Sequence, residues 1–222
     1  MDCLFFVELL GGKSKIKPIK EREMAKLFYQ GHASFRITTD EGVVIFIDPY
    51  AGVGYQTPAD IVLITHEHYD HNDIGKVTLT PRTIVIRAKD ALTNGVYHSF
   101  VEKNVKITAV PAYNSHHPKS ECVGYLLSFD GITLYHAGDS DFIPEMCDLR
   151  KENIDYALLP IDGYYTMSPE AATEVANVIM PKHMIPMHMK PGLLWDMKQA
   201  MKVHAPMAML MRPNDNIDLR KD

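Results

Sequence analysis

Cysteine is scarce in this chain. Its 222 residues include three, Cys3, Cys122 and Cys147, odd in number, far apart and without a C-x-x-C pair. That excludes a disulfide framework and reads as reduced thiols in a cytoplasmic protein. Long apolar runs are missing too, and none approaches the eighteen or so residues of a membrane-spanning helix. Leu4-Phe5-Phe6-Val7 is apolar, but Asp2 precedes it and Glu8 closes it, so no targeting segment is expected. Positive charge is in deficit. Lysine and arginine number 23 against 28 aspartates and glutamates, a net charge of −5, which argues against a general nucleic-acid binder. The lysine-rich stretch over residues 13–26 is interleaved with glutamates and reads as solvated connection. Internal repeats and low-complexity tracts are absent. What remains is an ordinary globular composition, 46% hydrophobic and 23% charged. A chain of this length can bury a substantial core as one domain over residues 1–222.

What is present is a cluster of metal-type donors. Ile61-Val62-Leu63-Ile64 is a continuous apolar run that reads as a buried strand. Thr65-His66-Glu67-His68-Tyr69-Asp70-His71 follows at once, with the spacing His-x-His-x-Asp-His. Ligands just past a strand's carboxyl end sit on a loop with a rigid anchor behind it. Along such a turn His66 and His68 can reach one ion while Asp70 and His71 reach a second. Imidazole nitrogen and carboxylate oxygen suit borderline divalent metals, zinc first, and the same ligands accept manganese or iron. The competing reading is a solvated polar loop. Four donors in this pattern, directly behind a buried strand, favour metal.

Around the motif, strands are expected over residues 26–29, 34–38, 43–47, 84–86, 105–110, 156–161 and 184–186. A further edge strand is expected over 3–10, a hairpin over 123–135 turning at Asp130-Gly131, and a short helix near 89–94. Ser168 can cap a helix begun by Pro169, with Ala172, Val175, Ala176 and Ile179 on its buried face and Pro181 ending it. A terminal helix holding Trp195 is expected over 193–204, and a closing strand over 208–211. Strands alternating with short helical stretches indicate an α/β sandwich.

The His-x-His-x-Asp-His spacing resembles the metal motif of the metallo-β-lactamase-fold hydrolases. Gly31-His32-Ala33-Ser34-Phe35, Ile47-Asp48-Pro49, Tyr135-His136-Ala137-Gly138-Asp139-Ser140 and Pro186-Met187-His188 come in the order that family shows. The chain is most similar to a compact branch that includes the L-ascorbate 6-phosphate lactonase-like proteins. The resemblance implies a four-layer αββα sandwich, two mixed sheets face to face with helices outside. It implies two divalent ions, one held by His66, His68 and His117, the other by Asp70, His71 and His188, with Asp139 bridging them. Asp48 would hold a ligand histidine in place, and Asp70 would also orient water. His32, His116 and His136 are further candidates near the site. Of the adjacent pair, the match puts His117 on the metal and leaves His116 for substrate or support. The residues alone leave both open. Tyr164 and Tyr165 either line the mouth or simply pack.

The implied activity is hydrolysis of a small ester, lactone or phosphorylated metabolite by a metal-bridging hydroxide, without a covalent enzyme intermediate. Two divalent charges against two carboxylates and a hydroxide leave a site of about +1. Phosphodiester hydrolysis, nuclease activity included, is the alternative. A mononuclear iron dioxygenase of the same fold and a non-catalytic binding protein rank below it. The expected partner is a small-molecule substrate, with no membrane and with nucleic acid disfavoured, and a homo-oligomer is compatible.

Overall fold

The computed structural model of the chain describes residues 24–190 and 192–221. The strand expected over 3–10 lies outside the described residues. Five strands come first: β1 (Lys26–Gly31), β2 (Ser34–Thr38), β3 (Val44–Ile47), β4 (Ile61–Ile64) and β5 (Ile84–Arg87). Helix α1 (Ala88–Ala91) and a hairpin of β6 (Leu92–Thr93) and β7 (Val96–Tyr97) connect them to the second group. That group is β8 (Ser99–Glu102), β9 (Val105–Pro111), β10 (Val123–Phe129), β11 (Ile132–His136), β12 (Tyr156–Pro160) and β13 (His183–Met187). Helix α2 (Pro169–Ile179) lies between β12 and β13, and α3 (Met197–Ala200) and β14 (Asn216–Asp218) follow.

The two six-stranded sheets share one plan. In the first, ordered β14-β1-β2-β3-β4-β5, the pairings from β14 to β3 are antiparallel and those from β3 to β5 parallel. In the second, ordered β8-β9-β10-β11-β12-β13, the pairings from β8 to β11 are antiparallel and those from β11 to β13 parallel. This structural duplication leaves no trace as a sequence repeat. The C-terminal β14 takes beside β1 the place that β8 takes beside β9.

Alternation along each strand divides the apolar runs between three cores. Ile45, Ile47, Ile61 and Leu63 face inward and pack in one cluster with Leu127, Leu134, Leu158 and Ile185 of the opposite sheet. Val44, Phe46, Val62 and Ile64 face outward under Tyr55, Ala59 and Val77. The outer face of the second sheet is covered by α2 and a 3₁₀ helix at Pro144–Glu152. Helix α2 follows its sequence closely: Ser168 Oγ accepts from the Ala171 amide at 3.2 Å, and Ala172, Val175, Ala176 and Ile179 are buried. The first sheet's outer layer is mostly loop, with one short 3₁₀ helix at Ile74–Lys76.

Three local expectations change. The helix expected near 89–94 ends at Ala91, because Asn94 and Gly95, both at positive φ, turn the β6–β7 hairpin. The terminal helix over 193–204 shrinks to α3, capped by Asp196. The residues ahead of it are held by tertiary bonds instead, His32 N to Leu194 O at 2.7 Å and Trp195 Nε1 to Met211 O at 2.9 Å. Around 208–211 there is one parallel bridge, Met184 to Ala208, and the strand that closes the first sheet is β14.

The shared inner core sets a stability prediction. Leu63→Ala should lower the unfolding free energy by about 2–5 kcal/mol, as expected for an emptied, well-packed leucine site. Denaturant unfolding of the metal-free chain measures it.

Candidate metal centre

Seven strand exits converge at one edge of the sandwich. His32 follows β1, Asp48 follows β3, and the segment 65–71 follows β4. Asn114 and His117 follow β9, Asp139 follows β11, Asp162 follows β12 and His188 follows β13. All seven are carboxyl ends, which the common strand directions bring to the same side. Backbone bonds tie the sheets together there: His188 N to His32 O at 2.9 Å and Val123 N to Thr65 O at 3.0 Å. His32, Asp48 and His188 sit at φ of 53°, 45° and 44°. Left-handed backbone at non-glycine residues costs of order 1–3 kcal/mol each and gathers at functional sites. Gly138 has φ 58°, and a Cβ there would lie 3.0 Å from Val123 O and 3.2 Å from Thr65 Cβ, so the turn presenting Asp139 needs glycine.

The donor atoms fall into three overlapping sets, each with its atoms within 4.8 Å of one another. One is His66, His68 and His117; another is His32, Asp70, His71 and His188; the third is His66, His71 and Asp139. Asp139 Oδ2 is the hub. It lies 3.1 Å from His188 Nε2, 3.3 Å from His71 Nε2, 3.4 Å from His117 Nε2 and 3.9 Å from His66 Nε2. Yet His66 Nε2, His71 Nε2 and Asp139 Oδ1 are buried without a hydrogen-bond partner. Buried polar atoms are nearly always satisfied, so unpartnered atoms on three residues of one donor set fit coordination to a cation. The residues present suit a divalent metal.

The remaining ring nitrogens are held from behind. Asp48 Oδ2 faces His71 Nδ1 at 2.8 Å and accepts the Thr65 hydroxyl at 2.6 Å, while Oδ1 accepts the Thr65 amide. Thr65 Oγ1 is 3.0 Å from His66 Nδ1, and Asn114 Oδ1 is 3.0 Å from His117 Nδ1. Asp162 Oδ2 makes a 2.9 Å ion contact with His188 Nδ1, off the line of a good hydrogen bond. Partners of this kind fix the tautomer and aim of a ligating imidazole.

Electrostatics divides the cluster. Burial pushes the His66 imidazole down to about 3, helped by His71, and burial pushes His117 down to about 4. Both present bare lone pairs at neutral pH. Burial also opposes charge on His71 and His188, but carboxylates win there: Asp139 and Asp48 hold His71 well above the usual imidazole value. Asp139 and Asp162 raise His188 to about 9. Asp139 itself, although buried, is held far below the carboxylate range by His188 and His71. The carboxylates facing His71 and His188 therefore favour positive charge at both rings.

Every residue expected at the metals from the sequence, His66, His68, Asp70, His71, His117, Asp139 and His188, reaches this one place. His32 joins them, its Nε2 3.2 Å from Asp70 Oδ2. His116 is exposed and lines the cleft above, outside the donor sets. His136 is fully buried beneath the Gly138 turn, with Nε2 3.0 Å from Ala33 O and Nδ1 accepting the Gly138 amide. Thr65, Asn114 and Asp162 were not singled out from the sequence. Asp162-Gly163, directly behind a buried strand, repeats the signal of Asp48-Pro49 and could have been read the same way.

Two face-to-face mixed sheets with histidines and aspartates at their shared carboxyl edge define the metallo-β-lactamase fold. The chain belongs to the family described as the β-lactamase superfamily domain, matched over residues 26–188, and within it to the UPF0173 metal-dependent hydrolases. A UPF0173 metal-dependent hydrolase of Pyrococcus furiosus is 31% identical over 88% of this chain and 100% of its own length. The Thermococcus onnurineus relative of the same name has the same identity and coverage. Among solved structures, Igni18, a metallo hydrolase of Ignicoccus hospitalis, covers 90% of this chain and 100% of that chain, with a TM-score of 0.70 and 25% identity.

The raised histidines set the pH dependence. The stability that His188 lends the metal-free protein is complete below its unfolded value of 6.5 and is lost as pH rises through about 9. Metal competes with those protons, so zinc binding at pH 7 should release protons and tighten as pH rises over the same window. Calorimetric titration in buffers of different ionisation enthalpy measures the release.

Proposed function

We propose that the chain is a dinuclear hydrolase that cleaves a small ester, lactone or phosphorylated metabolite, in the manner of the lactonase-like proteins its sequence resembles. The observation that carries this reading is the convergence of unsatisfied Nε2 atoms and Asp139 Oδ1 on one buried space. His66, His68 and His117 would hold one ion, Asp70, His71 and His188 the other, and Asp139 both. Zinc best suits the donor set, with manganese and iron compatible. When bound, two such ions supply a water of lowered pKa and an electrophile for the developing oxyanion.

The chain's own residues do the positioning. Asp48, Thr65, Asn114 and Asp162 keep four imidazoles aimed inward. His32 holds one oxygen of Asp70, whose carboxylate is half-buried at the cleft floor and would orient the attacking water. We further propose one domain over residues 1–222 acting in the cytoplasm. Among the described residues no helix is long and apolar enough to cross a membrane.

Chelation should abolish hydrolysis and remetallation restore it, with elemental analysis of protein purified without added metal giving about two ions per chain. Activity that survives complete metal removal would end the reading. A panel of lactones beside bis-p-nitrophenyl phosphate checks the substrate class, and turnover of the diester alone would reassign the chain as a phosphodiesterase. Asp48→Asn should lower activity or metal affinity about 10–100-fold while leaving the fold intact. Steady-state kinetics with metal titration measures that loss.

A further inference from the structure

The cleft above the donor sets, about 480 Å³ in volume, has a wall that metal chemistry does not use. His116 and Tyr165 line it, and Tyr164 packs against both. The His116 and Tyr164 rings lie 5.8 Å apart at 22°, and Tyr165 meets Tyr164 edge-on at 4.6 Å and 83°. Tyr164 is 66% exposed and Tyr165 43%. A contiguous cluster of large rings open to water beside a cleft is the kind of patch that marks a binding surface.

The backbone of the wall is hydrogen-bonded in place, and the same side chains align it with the metal site. Asp162 Oδ1 accepts from the amides of Tyr164 at 2.5 Å and Tyr165 at 2.7 Å, while its other oxygen faces His188. Asn114 Nδ2 donates to Tyr165 O at 2.8 Å and to Asp139 O at 3.1 Å. Asn114 Oδ1 meanwhile accepts from the amides of His116 and His117. Two side chains therefore set both the aim of the ligand imidazoles and the position of the rings. A substrate stacked on the wall is held at a fixed offset from the reacting centre.

Charge narrows the ligand further. Among the described residues no lysine or arginine lines the cleft. Lys190, Arg87 and Lys119 on flanking segments are each paired, with Asp196, Glu67 and Glu145. Asp48 and Asp162 join Asp70 and Asp139, so four carboxylates stand against two divalent charges where the ligand set alone has two. The attraction for an anion is correspondingly weaker than the ligand carboxylates alone would leave it.

We propose that the cleft takes substrates whose non-reacting part is a planar, uncharged ring, stacked on His116 and Tyr165 with Tyr164 backing both, in preference to phosphorylated compounds. The identity of the reacting bond rests on the hydrolase reading; the place of the ring does not. Aromatic recognition of this kind uses ring offset and edge contacts and gains little from charge.

Calorimetric titration of the metal-loaded full chain with three unreactive amides tests it. N-benzylacetamide should bind about tenfold more tightly than N-ethylacetamide, and N-(4-carboxybenzyl)acetamide no more tightly than the neutral ring. Replacing both rings, Tyr164→Ala with Tyr165→Ala, should bring the benzyl-to-ethyl ratio close to one, whereas the paired changes to Phe should preserve it. Tyr164→Ala alone, at the more exposed position, should give an intermediate ratio if the double variant does not fold. Equal or undetectable binding of the two neutral probes, a ratio that survives loss of both rings, or tighter binding of the anionic ring would overturn the proposal. Hydrolysis of benzyl acetate and ethyl acetate is read separately. A ring preference without metal-dependent hydrolysis rejects the hydrolase reading alone, and hydrolysis without the preference rejects only the ring site.

Discussion

A carboxylate buried among imidazoles governs this structure. Asp139 is almost wholly withdrawn from water and ionised, with four ring nitrogens within 3.9 Å of one of its oxygens. An isolated charge in such a place would be costly by several kcal/mol, so compensating positive charge must be present in every state of the molecule. The carboxylates favour positive charge on His71 and His188, and the donor geometry suits divalent ions. Folding and ligand binding are thereby coupled through one group.

The duplicated sheet plan explains why a site can form here at all. Each sheet carries its parallel strands at one side and its antiparallel strands at the other, and stacking them brings seven carboxyl-terminal exits to a single edge. Short, rigid strands then act as fixed posts. The left-handed residues His32, Asp48 and His188 turn the chain sharply at those posts, so that side chains point across the edge and not away from it. The inner core beneath holds both sheets in register, which ties the spacing of donors from different sheets to ordinary apolar packing.

The two halves of the donor cluster differ in character. His66 and His117 are held neutral because burial outweighs the pull of Asp139, and their far nitrogens face Thr65 and Asn114, not a carboxylate. His71 and His188 each have a carboxylate of their own at the far nitrogen, Asp48 and Asp162. The same Asp162 organises the tyrosine wall, so the electrostatics of the site and the shape of its mouth share a support.

Much of this was legible in the chain itself. His66, His68, Asp70 and His71 are neighbours behind an apolar strand, so local pattern marked them out, while Asp48, Asp139 and His188, each past the end of another strand, were picked out by the order of motifs that the family resemblance supplied. Helix α2 was readable for the same reason, since its cap, its first proline and its buried face are all local features. What local pattern lacked was partnership across the fold. Nothing near Asp162 in sequence shows that His188 stands 2.9 Å away, nor does His116-His117 show which ring turns inward. The terminal segment formed one turn of helix instead of three because Leu194 and Trp195 bond to residues far along the chain, which outweighs a weak helical preference. The sequence by itself marked the His-x-His-x-Asp-His donors and the strand that carries them, because both depend on residue type and spacing along one element, and the remaining donors were named by family resemblance. Only the tertiary structure decided their grouping, their charge states and the aromatic wall, because these depend on which distant atoms exclude water from one another.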